Sequence, residues 1–126
     1  MSLTMTVDHG RGILLARAQG SVTADDVRHH IKEERNAGGL PLCELIDARG
    51  SHPEFSAEEV RDIVDVLRQL GRDSGLGPTA IVIDTDVHFG MMRMLEMLVE
   101  DVCQISPFRR MEDAEEWIAQ FSKRPA

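Results

Sequence analysis

The chain lacks any apolar run long enough to matter to a bilayer. The longest extend over a few positions, as at Ala80–Ile83, where a spanning helix needs roughly 20. No stable membrane insertion is expected. Cysteine is scarce too: Cys43 and Cys103 have no Cys-x-x-Cys spacing, and two buried thiols in a reducing compartment are expected over a structural disulfide. Positive charge is short, with Lys plus Arg at 14 against 22 Asp plus Glu and a net charge of −8. Such a surface repels phosphodiester backbones and anionic membranes, so no nucleic-acid partner is expected unless basic residues concentrate. The best such cluster, Phe108-Arg109-Arg110, runs at once into Glu112 and Asp113 and reads as solvated charge at a strand end. Met1-Ser2-Leu3 leads into alternating residues with neither a basic nor an apolar stretch of a secretory leader, and a cytoplasmic location is expected.

Catalytic signatures are missing as well. There is no Gly-x-Ser-x-Gly elbow, and Ser51 beside His52 cannot form a triad by adjacency alone. Gly10-x-Gly12 falls in a hairpin and not before a helix, so it is no phosphate loop. His29 and His30, neighbours on a helix, diverge by about 100° and read as a solvated pair. Nothing assembles a catalytic site, and no cofactor is called for.

What is present is the composition of one globular domain spanning residues 1–126, with 42% hydrophobic and 29% charged residues. Leu3, Met5 and Val7 alternate with Ser2, Thr4 and Thr6, the period of a half-buried strand. Asp8 to Gly12 turns, Ile13 to Ala18 returns as a hairpin, and Gly20 ends it. Thr23 with Asp26 has the spacing of a capping box, opening a helix with a thin stripe of Ala24, Val27 and Ile31 that Gly38-Gly39 closes. Leu42 to Ala48 is extended, and Arg49 to Glu54 reads as a polar loop. Ser56 with Glu59 is a second capping box, before a strongly amphipathic helix carrying Val60, Ile63, Val64, Leu67 and Leu70. Thr79 to Asp84 reads as a central strand buried on both faces. A Met-rich helix follows, with Met91, Met94, Leu95, Leu98, Val99 and Val102 as its expected buried face. Gln104 to Arg109 is a short strand, and Asp113, with Glu116 behind it, is the expected cap of a last helix. The order β-β-α-β-α-β-α-β-α predicts an α/β fold: a mixed, mostly parallel sheet of about five strands with four helices, the hairpin giving an antiparallel edge.

Three stretches carry a family resemblance. Gly12-Ile13-Leu14-Leu15 leading to Gly20-Ser21-Val22-Thr23-Ala24-Asp25-Asp26-Val27 resembles the entry to the first helix in SpoIIAA-like, STAS-related domains of small bacterial proteins. Glu44-Leu45-Ile46-Asp47 resembles that family's Asp-ending strand. Ala80-Ile81-Val82-Ile83-Asp84, with Phe108 and Ala114-Glu115-Glu116-Trp117-Ile118, resembles its finish. The likeness runs from about Leu3 to Phe121. It implies a SpoIIAA/STAS-like fold and a binding or regulatory role in place of catalysis, and relatives are linked to apolar or lipid ligands. It also implies a phosphorylation switch on a Ser at the start of the helix after the Asp-ending strand. The nearest position is Ser56, where Phe55 replaces the family's Asp and no Gly follows; the plain alternative is a helix cap.

Two places are the candidates for function. Met91, Met92, Met94, Leu95 and Leu98 supply flexible, polarizable apolar surface, suited to an apolar ligand cavity or a subunit contact, or else simply filling core gaps. A partner protein, a small apolar molecule and a homodimer all stay open. Alternatively Asp84, Asp86 and His88, where a strand ends and a helix begins, form an enzyme or metal site.

Overall fold

The computed structural model describes residues 2–39, 41–73 and 75–122. In chain order its elements are β1 (Leu3–Asp8), β2 (Ile13–Ala18), β3 (Gly20–Thr23), α1 (Ala24–Asn36), β4 (Cys43–Asp47), β5 (Ser51–Glu54), α2 (Ala57–Asp73), β6 (Thr79–Val82), α3 (Asp86–Val99), β7 (Ile105–Phe108) and α4 (Met111–Ala119). The main sheet has five strands in the order β1-β2-β4-β6-β7. β1 runs antiparallel to β2, and the three remaining pairings are parallel, as the alternation of strand and helix predicts. The β1–β2 turn closes on Asp8, whose carbonyl accepts from the Gly12 N–H at 2.8 Å, with Gly12 at φ 67°, where a side chain would be strained.

Alternation along the strands sends residues to two faces. Ile13, Cys43, Leu45, Ala80 and Val82 pack on Ala114 and Ile118 of α4, with Trp117 and Phe108 alongside at 5.8 Å between ring centroids. Ala18, Ile46, Ile81 and Ile83 point to the other face, where they meet Val27, Phe89 and Met92 from α1 and α3. Both expected capping boxes form: Thr23 with Asp26, and Ser56 with Glu59. Cys43 and Cys103 are buried free thiols whose pKa values burial pushes up.

Two local expectations fail. Gly20–Thr23 and Ser51–Glu54, read as a strand end and a polar loop, pair in parallel as a second, two-stranded sheet. And α4 starts at Met111 behind Arg110, with no side-chain cap, so Asp113 is not the cap. It lies in the first turn with Glu112, where negative charge still suits the helix end.

Candidate functional site

The sheet face opposite α4 does not fill completely. Between it and α1, α2 and α3 lies a cavity of about 190 Å³. Ala18, Ile46, Ile81 and Ile83 form its floor, Val27 and Ile31 line it from α1, Ile63 and Leu67 from α2, and Met92 and Leu95 from α3. Phe55 and Leu76 complete the apolar wall. This is one continuous apolar chamber built from three helices and a sheet.

One part of its wall is ionisable. His30 and Glu34 are four residues apart on α1 and therefore share a face, and both line the cavity. Glu44 reaches them from β4, a strand covered on both sides, with Cys43 and Leu45 turned to the α4 face. The His30 Nε2 lies 2.7 Å from Oε1 of Glu34 and 2.7 Å from Oε2 of Glu44. The three residues are 5–7% exposed. Burial alone would lower the His30 pKa, but hydrogen bonds to Glu34 and Glu44 and the charges of both outweigh it and hold it at about 10. Burial pushes Glu44 up to about 7, and the Glu34 charge adds to that, against the opposing bond to His30. The imidazole N–H is shared between two carboxylates, so protons and charge in this cluster are tightly linked.

The sequence pointed elsewhere. His29 is exposed and paired with Glu33 at 2.6 Å, but His30 is no solvated residue. The signal was present. His30 and Glu34 extend the inward face that Val27 and Ile31 define, and Glu44 is the one charged residue inside the Leu42–Ile46 run of a central strand.

Of the five residues proposed on the Met-rich helix, Met92 and Leu95 line the cavity. Met94 and Leu98 are 49% and 47% exposed and face outward, and Met91 is half-buried off the cavity. The inward face is Met92, Leu95 and Val99, which keeps Leu95 and Val99 of the expected stripe and has Met92 in place of Met91, Met94 and Leu98. Asp84, Asp86 and His88 are not brought together. Asp84 accepts from the Gly50 N–H, Asp86 pairs with Arg109 at 2.6 Å, and the His88 side chain turns to the cavity. Among the described residues, the group of three metal-competent side chains with donor atoms near one another is His30, Glu34 and Glu44. Ser56 is exposed, its hydroxyl accepting from the Glu59 N–H as a helix cap. Arg109 also stands over the Phe89 ring at 5.5 Å, and Arg110 pairs with Glu112, so the basic dipeptide is engaged in local ion pairs.

No protein-family model matches this chain, and no functionally curated protein does either. A solved structure does: an uncharacterised protein of the DUF3478 family with a SpoIIAA-like fold, from Shewanella loihica PV-4, superimposes with a TM-score of 0.65. The match covers 93% of this chain and 94% of that one at 16% identity. The fold is SpoIIAA-like. At that identity the likeness extends to architecture alone, so the chemistry of the SpoIIAA-like scaffold here rests on its own residues. No helix among the described residues is long and apolar enough to cross a membrane.

Proposed function

We propose that this chain is a non-enzymatic binding module whose cavity takes a small apolar molecule. The observation that carries this reading is the chamber of about 190 Å³, walled by aliphatic side chains from the sheet and three helices. An apolar cavity of roughly 150 Å³ holds a benzene-sized guest, so this one suits a single ring or a short acyl chain. The Met-rich helix takes part through Met92, whose flexible thioether adapts to guests of different shape. His30 on the cavity wall is engaged by two carboxylates and so is no free base for a nucleophile, which favours binding over turnover.

Thermal unfolding with benzene and with cyclohexanol tests the reading. A ligand that binds only the folded state raises the midpoint in proportion to its occupancy. A midpoint that rises with probe concentration supports the proposal, and one that stays fixed up to the probes' solubility overturns it.

A second reading has its own observation. Val87, Met94 and Leu98 recur at helical spacing on the outer face of α3 at 79%, 49% and 47% exposure, an apolar stripe suited to a second copy of the chain. Sedimentation equilibrium tests it: a dimer that Met94→Lys dissociates supports the contact, and a monomer at every concentration removes it.

A further inference from the structure

The cluster on the cavity wall invites a chemical question that an apolar guest does not answer. With His30 as imidazolium and both carboxylates ionised, the set holds one uncompensated negative charge among apolar side chains, an expensive arrangement. A divalent cation held by a neutral imidazole and two carboxylates makes the same set neutral. The donors are already gathered: one atom from each of His30, Glu34 and Glu44 lies within 4.8 Å of the other two. Two come from one helix face at i, i+4 and the third from a rigid central strand, which limits how far they can drift apart.

We propose that His30 Nε2 and one carboxylate oxygen each from Glu34 and Glu44 form a divalent transition-metal site of the zinc class, with its remaining coordination positions turned to the cavity. The donor set selects the metal. Calcium takes six to eight oxygen ligands and magnesium an octahedron rich in water, whereas one imidazole with two carboxylates suits zinc, cobalt, manganese or ferrous iron. Bonds of about 2.0–2.1 Å to a tetrahedral ion set its ligand atoms about 3.3 Å apart. The two 2.7 Å contacts at Nε2 therefore open by about half an ångström, a rotamer adjustment that the cavity side leaves room for. The ion takes the place of the proton that the two carboxylates now share. Three protein ligands leave a coordination position open to a donor atom entering from the cavity.

The site does not depend on the apolar guest, and the metal alone is the probe. Co²⁺ is titrated into chelator-treated protein, followed by visible d–d absorption and by paramagnetic effects on histidine ring resonances. The expected result is one equivalent bound, displaced by Zn²⁺, with the paramagnetic shift centred on the His30 ring. Glu44→Gln and Glu34→Gln each weaken binding at least tenfold. Absence of stoichiometric binding overturns the proposal, and so does a paramagnetic effect centred on His9, His29, His52 or His88. The wild-type arm decides even if a variant fails to fold, and failure here leaves the cavity reading standing, since no apolar probe is involved.

Discussion

The imidazole Nε2 of His30 and a carboxylate oxygen of Glu44 stand 2.7 Å apart, although fourteen positions separate the residues in sequence. Each side chain is 7% exposed, and Glu34 completes the contact from the same helix as His30. A buried charged cluster of this kind is costly to break and of little net worth to make.

That asymmetry sets the first prediction. His30→Leu leaves two carboxylates facing each other in the cavity wall and costs about 3 kcal/mol at neutral pH, recovered as acid protonates them. Glu44→Leu leaves the His30–Glu34 pair intact and adds apolar surface to an apolar chamber, so it changes stability by only about 1 kcal/mol. Urea melts of both variants check the contrast.

The second prediction concerns pH, in metal-free buffer. His30 is raised from 6.5 to about 10 and Glu44 from 4.5 to about 7, so both hold protons more tightly folded than unfolded. The Glu44 contribution is fully present below its unfolded value and lost as pH rises through about 7; that of His30 is lost as pH rises through about 10. Unfolding free energy therefore falls as pH rises between about pH 5 and pH 10. Glu44→Gln flattens the lower half of that slope in thermal melts.

A pair of glycines gives the third. A Cβ at Gly77 would stand 2.0 Å from the Leu42 carbonyl oxygen, a backbone atom, so Gly77→Ala costs about 3 kcal/mol. A Cβ at Gly90, on the exposed side of α3, meets nothing within 4 Å, and Gly90→Ala gains about 0.5–1 kcal/mol of helix stability. Calorimetric midpoints moving in opposite directions are the expected outcome.

The fourth tests which face of α3 is inward. Val99 is fully buried and Leu98 beside it is 47% exposed. Val99→Ala costs about 2 kcal/mol and Leu98→Ala about 0.5 kcal/mol, measured by urea unfolding.

These contrasts show what the sequence makes legible. Strict alternation at Leu3, Met5 and Val7 and the paired caps Thr23–Asp26 and Ser56–Glu59 are local signals, and the element order and parallel sheet follow from them. The β3–β5 sheet joins Gly20–Thr23 to Ser51–Glu54, four-residue segments far apart in sequence, one of them with Pro53 inside; nothing local announces their pairing. On α3 the apolar residues go round most of the helix, so periodicity finds the inward Leu95 and Val99 but cannot choose between Met92 and the stripe's Met91, Met94 and Leu98 as their neighbours. The cavity is a property of how three helices sit on a sheet, and only tertiary packing creates it. His30 and Glu34 lie on the inward extension of a thin stripe, and Glu44 sits in a central strand. Asking where that carboxylate goes is the question that leads to the cluster from sequence.

The cavity reading is tested most directly by methyl NMR with ¹³C-methyl methionine and a benzene titration. Met92 lines the cavity, whereas Met94 and Met97 are 49% and 63% exposed on the opposite side of the same helix. The expected result is a saturable shift of the Met92 methyl with the Met94 and Met97 methyls unmoved. Shifts confined to Met94 and Met97, or none that saturate, would contradict it.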